Sequence, residues 1–125
     1  LADDHLKKEK NKIMGINSQE VAYGFGQMGS AYLDDTGAFT PPTGKVVVAI
    51  TFMATTKFTT LTPSNDTPSN TYFVGTSVTA AATGNGANAE AIASADAFPA
   101  GVTIFGKWSA CTLASGTVIL YFADA

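Results

Sequence analysis

Arginine is absent from this sequence, and the chain holds one histidine, one cysteine and few charges of either sign. All seven basic residues are lysines, and Lys7, Lys8, Lys10 and Lys12 lie in the first twelve positions. From Met14 onward, Lys45, Lys57 and Lys107 stand against Glu20, Asp34, Asp35, Asp66, Glu90, Asp96 and Asp124, three positive charges against seven negative. An acidic body without arginine repels phosphate backbones, which argues against nucleic acid as a partner. His5 has no second histidine or cysteine nearby to build a zinc site, so no metal or other cofactor is expected. With His5 remote and Cys111 between Ala110 and Thr112, neither a Ser/His/Asp nor a Cys/His arrangement can be assembled, and no enzyme activity is expected. Cys111 cannot form an internal bridge and is expected as a buried thiol. No apolar run approaches the ~20 residues of a membrane-spanning helix, and the N-terminus lacks the apolar stretch of a signal peptide. The expectation is assembly in the cytoplasm, with no membrane partner.

What is present is apolar and β-branched. Hydrophobic residues make up 46% of the chain and charged residues only 14%, against about 25% charged in an ordinary soluble domain. So little charge leaves much surface available for burial against partners. The 125 residues suit one compact domain that folds without disulfides. Residues 1–13 form a charged extension, and residues 14–44 have no sustained period. Gly24, Gly26, Gly29, Gly37, Pro41 and Pro42 interrupt that second stretch, which is expected as an extended arm. Its large side chains Val21, Tyr23, Phe25, Met28, Tyr32, Leu33 and Phe39 are the candidate contacts to another surface or a neighbouring chain.

Residues 45–125 are expected as a β-rich body. KVVVAITFMA at 45–54 is the clearest strand, with Val46, Val48, Ile50 and Phe52 on one side and Val47, Ala49 and Met53 on the other. Shorter strands are expected at 58–61 and 72–78, with a turn at 62–66. Residues 79–97 read as loop, with a tight turn at Asn85-Gly86. Three further strands follow at 101–105, 107–113 and 117–123, broken at Gly106 and at Ser115-Gly116, the last pair read as a hairpin. The fold class is therefore all-β, a small antiparallel β-sandwich or barrel-like domain with an extended N-terminal arm.

Antiparallel strands that solvate one face alternate polar with apolar residues. The strands at 45–54 and 117–123 do not: Val118, Leu120 and Phe122 oppose Ile119 and Tyr121. One apolar face packs inside the domain, and the other needs the chain's own arm or a neighbour. Val46, Val48, Ile50, Phe52, Trp108, Leu120 and Phe122 are the candidate core or subunit interface, and a homo-oligomer is the expected assembly. Thr55, Thr56, Thr59, Thr60 and Thr62 read as polar positions on the sheet surface.

Several motifs have plainer readings than their chemistry. Gly24 to Gly29 spells G-x-G-x-x-G, but its flanks supply neither the strand nor the acidic residue of a dinucleotide site. Asp34-Asp35, followed by Thr36-Gly37, reads as a turn and not as an acid-base pair. Asn65-Asp66-Thr67 matches a glycosylation sequon beside Pro68. Trp108 and Phe105 suit a sugar-stacking platform, although such residues are more often packing anchors.

FTTLTP at 58–63, FPAGVTIFGKW at 98–108 and TLASGTVI at 112–119 together resemble small structural proteins of tailed bacteriophages, in particular head decoration or cement proteins. The resemblance spans residues 45–123. It implies a virion protein on the capsid exterior that binds the major capsid protein as a homo-oligomer, a trimer being favoured, with no catalytic residues. Tail and fibre components share this sequence texture, so a receptor- or carbohydrate-binding module of a tail or head fibre is the alternative.

Overall fold

The structure is a computed structural model that describes residues 27–64, 72–76 and 85–125. It is all-β, with five strands in chain order: β1 (Ser30–Leu33), β2 (Lys45–Phe52), β3 (Lys57–Pro63), β4 (Thr103–Ser115) and β5 (Val118–Asp124). They form one sheet in the order β1-β5-β2-β4-β3, and every neighbouring pair is antiparallel. The chain's densest β-branched run, in β2, occupies the centre of that sheet, where both neighbours satisfy its backbone and both faces can be covered.

The register sorts side chains to the two faces. Ala31, Leu120, Ile50 and Ile104 lie across the strands from one another, as do Leu33, Val118 and Phe52. All of these belong to, or pack against, the buried cluster, so they define the inner face. Against β5 the register of β2 slips between Val47 and Ala49, leaving Val48 as an extra residue. That bulge corrects the strict alternation expected along β2. Val47 joins Ile50 and Phe52 in the inner cluster, Val46 leaves it, and Val48 is only half-buried.

Four other expectations are corrected. β4 is one strand of 13 residues and not two, because Gly106 continues it. The last two strands are not a hairpin: β5 pairs with β1 and β2, while β4 pairs with β2 and β3. Part of the stretch expected as an arm belongs to the sheet, through β1 and a bridge at Phe39, and residues 14–26 lie outside the described residues. Residues 72–76 are not a strand; they run beside β3, where Thr76 and Leu61 exchange hydrogen bonds.

Irregularity in β4 shapes the domain. Its register slips against β2 near Val47 and at three points against β3, and each slip bends and twists the strand. Its first half pairs with β2 and its second half with β3. Beyond β1, Phe39 pairs with Cys111 through two backbone hydrogen bonds of 2.8 and 3.0 Å, returning the chain from one edge of the sheet to a strand near the other. The sheet is thereby rolled on itself around its inner face. Phe52, Phe58 and Phe98 fill one end, with Phe52 and Phe98 stacked at 4.9 Å and Phe58 edge-on to both. Phe39 stacks on Phe122 at 6.0 Å towards the other end.

Candidate assembly surface

The outer face follows from the same register. Between the inner rows lie two rows that point away from the core: Ser30, Tyr121, Ala49 and Phe105, then Tyr32, Ile119, Thr51 and Thr103. None of the eight is charged. The polar pair in the second row satisfies itself, Thr51 Oγ1 and Thr103 Oγ1 lying 2.8 Å apart. Phe105 is 62% exposed and Tyr32 66% exposed, and Met53, just past β2, is 54% exposed. The ion pair Lys45–Asp124, at 2.6 Å, lies at the far end of the β2–β5 ladder, outside these rows. Ala49 is itself buried, and the exposed remainder is an aromatic, charge-free area with one ion pair beyond one end, the composition of an interface core.

The candidate contact residues divide. Val21, Tyr23 and Phe25 lie outside the described residues, as do His5, Gly24, Gly26 and the Asn65 sequon. Met28 is half-buried, and Tyr32 is on the outer face. Leu33 and Phe39 turn inward instead, partly buried and packed against the core. Of the candidate core residues, Ile50, Phe52, Trp108, Leu120 and Phe122 are in the buried cluster, whereas Val46 is buried outside it. Phe105, Ile119, Tyr121 and Met53 complete the outer face. The alternation of β5 announced two of them, but only the register shows that they share a surface with Tyr32.

Trp108 is fully buried, and its indole Nε1 donates to the Val74 carbonyl at 2.7 Å. A ring with no accessible face cannot stack on a sugar, so the expected platform loses its tryptophan. The ring lies over Gly106, where an added Cβ would meet it at 2.5 Å. Thr56 is also corrected: it is fully buried, and its hydroxyl donates to the Ala54 carbonyl at 2.8 Å. Asp35 Oδ1 accepts from the Gly37 amide at 2.9 Å, which gives that acidic pair a turn to hold. Gly29, the last glycine of G-x-G-x-x-G, leads into a strand. Among the described residues no group of three or more His, Cys, Asp or Glu is placed to hold a metal ion.

Cys111 is fully buried, and that burial pushes its thiol from 9.0 up to about 12. Between these values the unfolded chain gives up the proton while the folded one keeps it. Stability from this group is therefore full below pH 9 and falls by about 1.4 kcal/mol per pH unit as pH rises towards 12. Chemical denaturation across that range should show the decline, and Cys111→Ala should flatten it. An unchanged slope in the variant would mean that other groups cause it.

No protein-family model, curated protein or solved structure matches this chain.

Proposed function

We propose that the chain is a structural subunit of a bacteriophage virion, a capsid decoration or cement protein that binds the head exterior as a homo-oligomer, a trimer being favoured. The observation that carries this reading is the outer sheet face, where Tyr32, Phe105 and Met53 stand exposed around rows without a charge. Apolar surface of this kind gains free energy when a partner excludes water from it. The resemblance of residues 45–123 to head decoration proteins supplies the kind of particle, and the major capsid protein is the partner it implies. The exposed ring of Phe105, beside the Thr51 and Thr103 hydroxyls, favours the second reading, a receptor- or carbohydrate-binding module of a fibre.

Introducing a charge on this face separates the two. Phe105→Glu should leave the circular dichroism spectrum unchanged, because the side chain is mostly exposed. It should weaken self-association and binding to heads lacking the protein by roughly 30-fold or more, the loss expected of an interface hot spot. Light scattering and particle co-sedimentation report both quantities. Unaltered association and head binding, with loss of glycan binding alone, would favour the fibre module instead.

A further inference from the structure

The two edge strands of the sheet are guarded very differently. β3 starts at Lys57, ends at Pro63, which has no N–H, and slips in register against β4 at three points, all of which blunt an edge. Residues 72–76 also cover it. The Thr76 amide donates to the Leu61 carbonyl at 3.0 Å, and the Leu61 amide donates to Thr76 Oγ1 at 2.9 Å. Gly75 permits this approach, since a Cβ there would meet the Leu61 carbonyl oxygen at 2.6 Å. The opposite edge, β1, has none of these guards. Ser30, Ala31, Tyr32 and Leu33 include no charge and no proline, and their register against β5 is unbroken.

The ladder fixes which backbone groups of β1 face outward. The Phe122 amide donates to the Gly29 carbonyl at 2.9 Å, and hydrogen-bonded pairs alternate with non-bonded pairs along an antiparallel ladder. Ala31 and Leu33 therefore bond to Leu120 and Val118, whereas the N–H and C=O of Ser30 and Tyr32 point away from β5. Among the described residues these outward groups have no partner. They are placed symmetrically about Ala31.

We propose that β1 pairs antiparallel with β1 of a second copy, Ala31 opposite Ala31, so that two sheets join edge to edge. A second copy fits because this edge is complementary to itself. Ser30 of each strand meets Tyr32 of the other, and each such pair exchanges two hydrogen bonds, so every outward group of both strands is satisfied. A slip of one residue sets outward groups against residues already bonded to β5, and a slip of two leaves half of the bonds within the strands. The same register puts the Asp34 residues of the two copies at opposite ends of the paired strands, where like charges do not face each other. The inference rests on the homo-oligomer reading but not on its trimer, because an isologous edge joins copies in pairs.

Hydrogen exchange of the full chain, resolved to single amides by mass spectrometry in dilute and concentrated samples, tests the pairing residue by residue. Ala31 and Leu33, bonded to β5, should be protected in both. Ser30 and Tyr32 should gain roughly ten-fold protection or more only as copies associate. Equally fast exchange at Ser30 and Tyr32 in the two samples overturns the proposal. Protection that appears only when heads lacking the protein are added also overturns it, giving the edge to a strand of another protein. Tyr32→Pro and Tyr32→Thr separate backbone from side chain: both lose the ring, but only proline removes the outward N–H, and it does so without breaking a bond to β5. Tyr32→Pro should therefore associate roughly 25-fold more weakly than Tyr32→Thr, one hydrogen bond lost per copy at about five-fold each. Equal association of the two variants counts against the pairing, and the exchange pattern of the unsubstituted chain decides if the proline variant does not fold. Light scattering of that chain separates the two failures. Association without protection at Ser30 and Tyr32 sinks only the edge pairing, whereas a monomer at every concentration sinks the homo-oligomer reading itself.

Discussion

Replacing Trp108 with alanine should lower the stability of the domain by about 3–5 kcal/mol, a large part of the 5–15 kcal/mol typical of a whole domain. Two losses combine. The first is a cavity under the rolled sheet, where the indole belongs to one buried cluster with Leu61, Cys111 and Phe122. The second is the indole hydrogen bond to Val74, which holds residues 72–76 against the domain. Trp108→Phe restores most of the ring but not the donor, and should cost about 1 kcal/mol for the bond plus a smaller packing defect. Urea denaturation followed by circular dichroism measures both variants, since Trp108 is the only tryptophan and its fluorescence disappears with it. Alanine at 108 with unaltered stability would mean that the ring is not a packing anchor.

The strands were largely legible from residue chemistry, because β-branched and aromatic runs at β2, β3 and β5 had no other way to bury themselves. Pairing was less legible. Ser115-Gly116 carries the chemistry of a tight turn, and a tight turn between two strands suggests a hairpin. Here it joins strands that β2 separates. β1 was missed because SAYL is short and surrounded by glycines, so its strand character comes from pairing with β5 and not from local preference. Gly106 looked like a break because glycine weakens strands, yet it is the gap that lets the Trp108 ring lie back on the backbone.

The candidate surface was legible in kind and not in place. Two-sided apolar strands announced a second face to cover, and low charge agreed. Which side chains occupy that face depended on the Val48 bulge, an extra residue that no local pattern marks. Leu33 and Phe39 were grouped with Tyr32 on apolar character alone. Alternation along β1 separates Leu33 from Tyr32, and the bridge to Cys111 draws Phe39 inside.

Gly116 is the second position where one substitution should have a large effect. It has a φ of +103°, where side chains other than hydrogen are strained, and it links β4 to β5 across the end of β2. An added Cβ would also meet the Thr56 Cα at 2.6 Å and the Thr55 carbonyl oxygen at 2.7 Å, both backbone atoms. They cannot swing aside, because Thr56 exchanges two backbone hydrogen bonds with Phe98, at 2.8 and 2.9 Å, and its hydroxyl is held by Ala54. Overpacking of about 1–3 kcal/mol and backbone strain of about 1–3 kcal/mol therefore act together in Gly116→Ala. We expect a loss of roughly 2–5 kcal/mol, with early exchange of the Thr56 and Phe98 amides. Hydrogen exchange by mass spectrometry locates the opening and denaturation gives its size. Gly86, also at positive φ but with nothing within 4 Å of an added Cβ, provides the control, and Gly86→Ala should lose only about 1 kcal/mol. Equal losses at the two positions would mean that backbone strain alone sets the cost and that the contact with Thr56 contributes nothing.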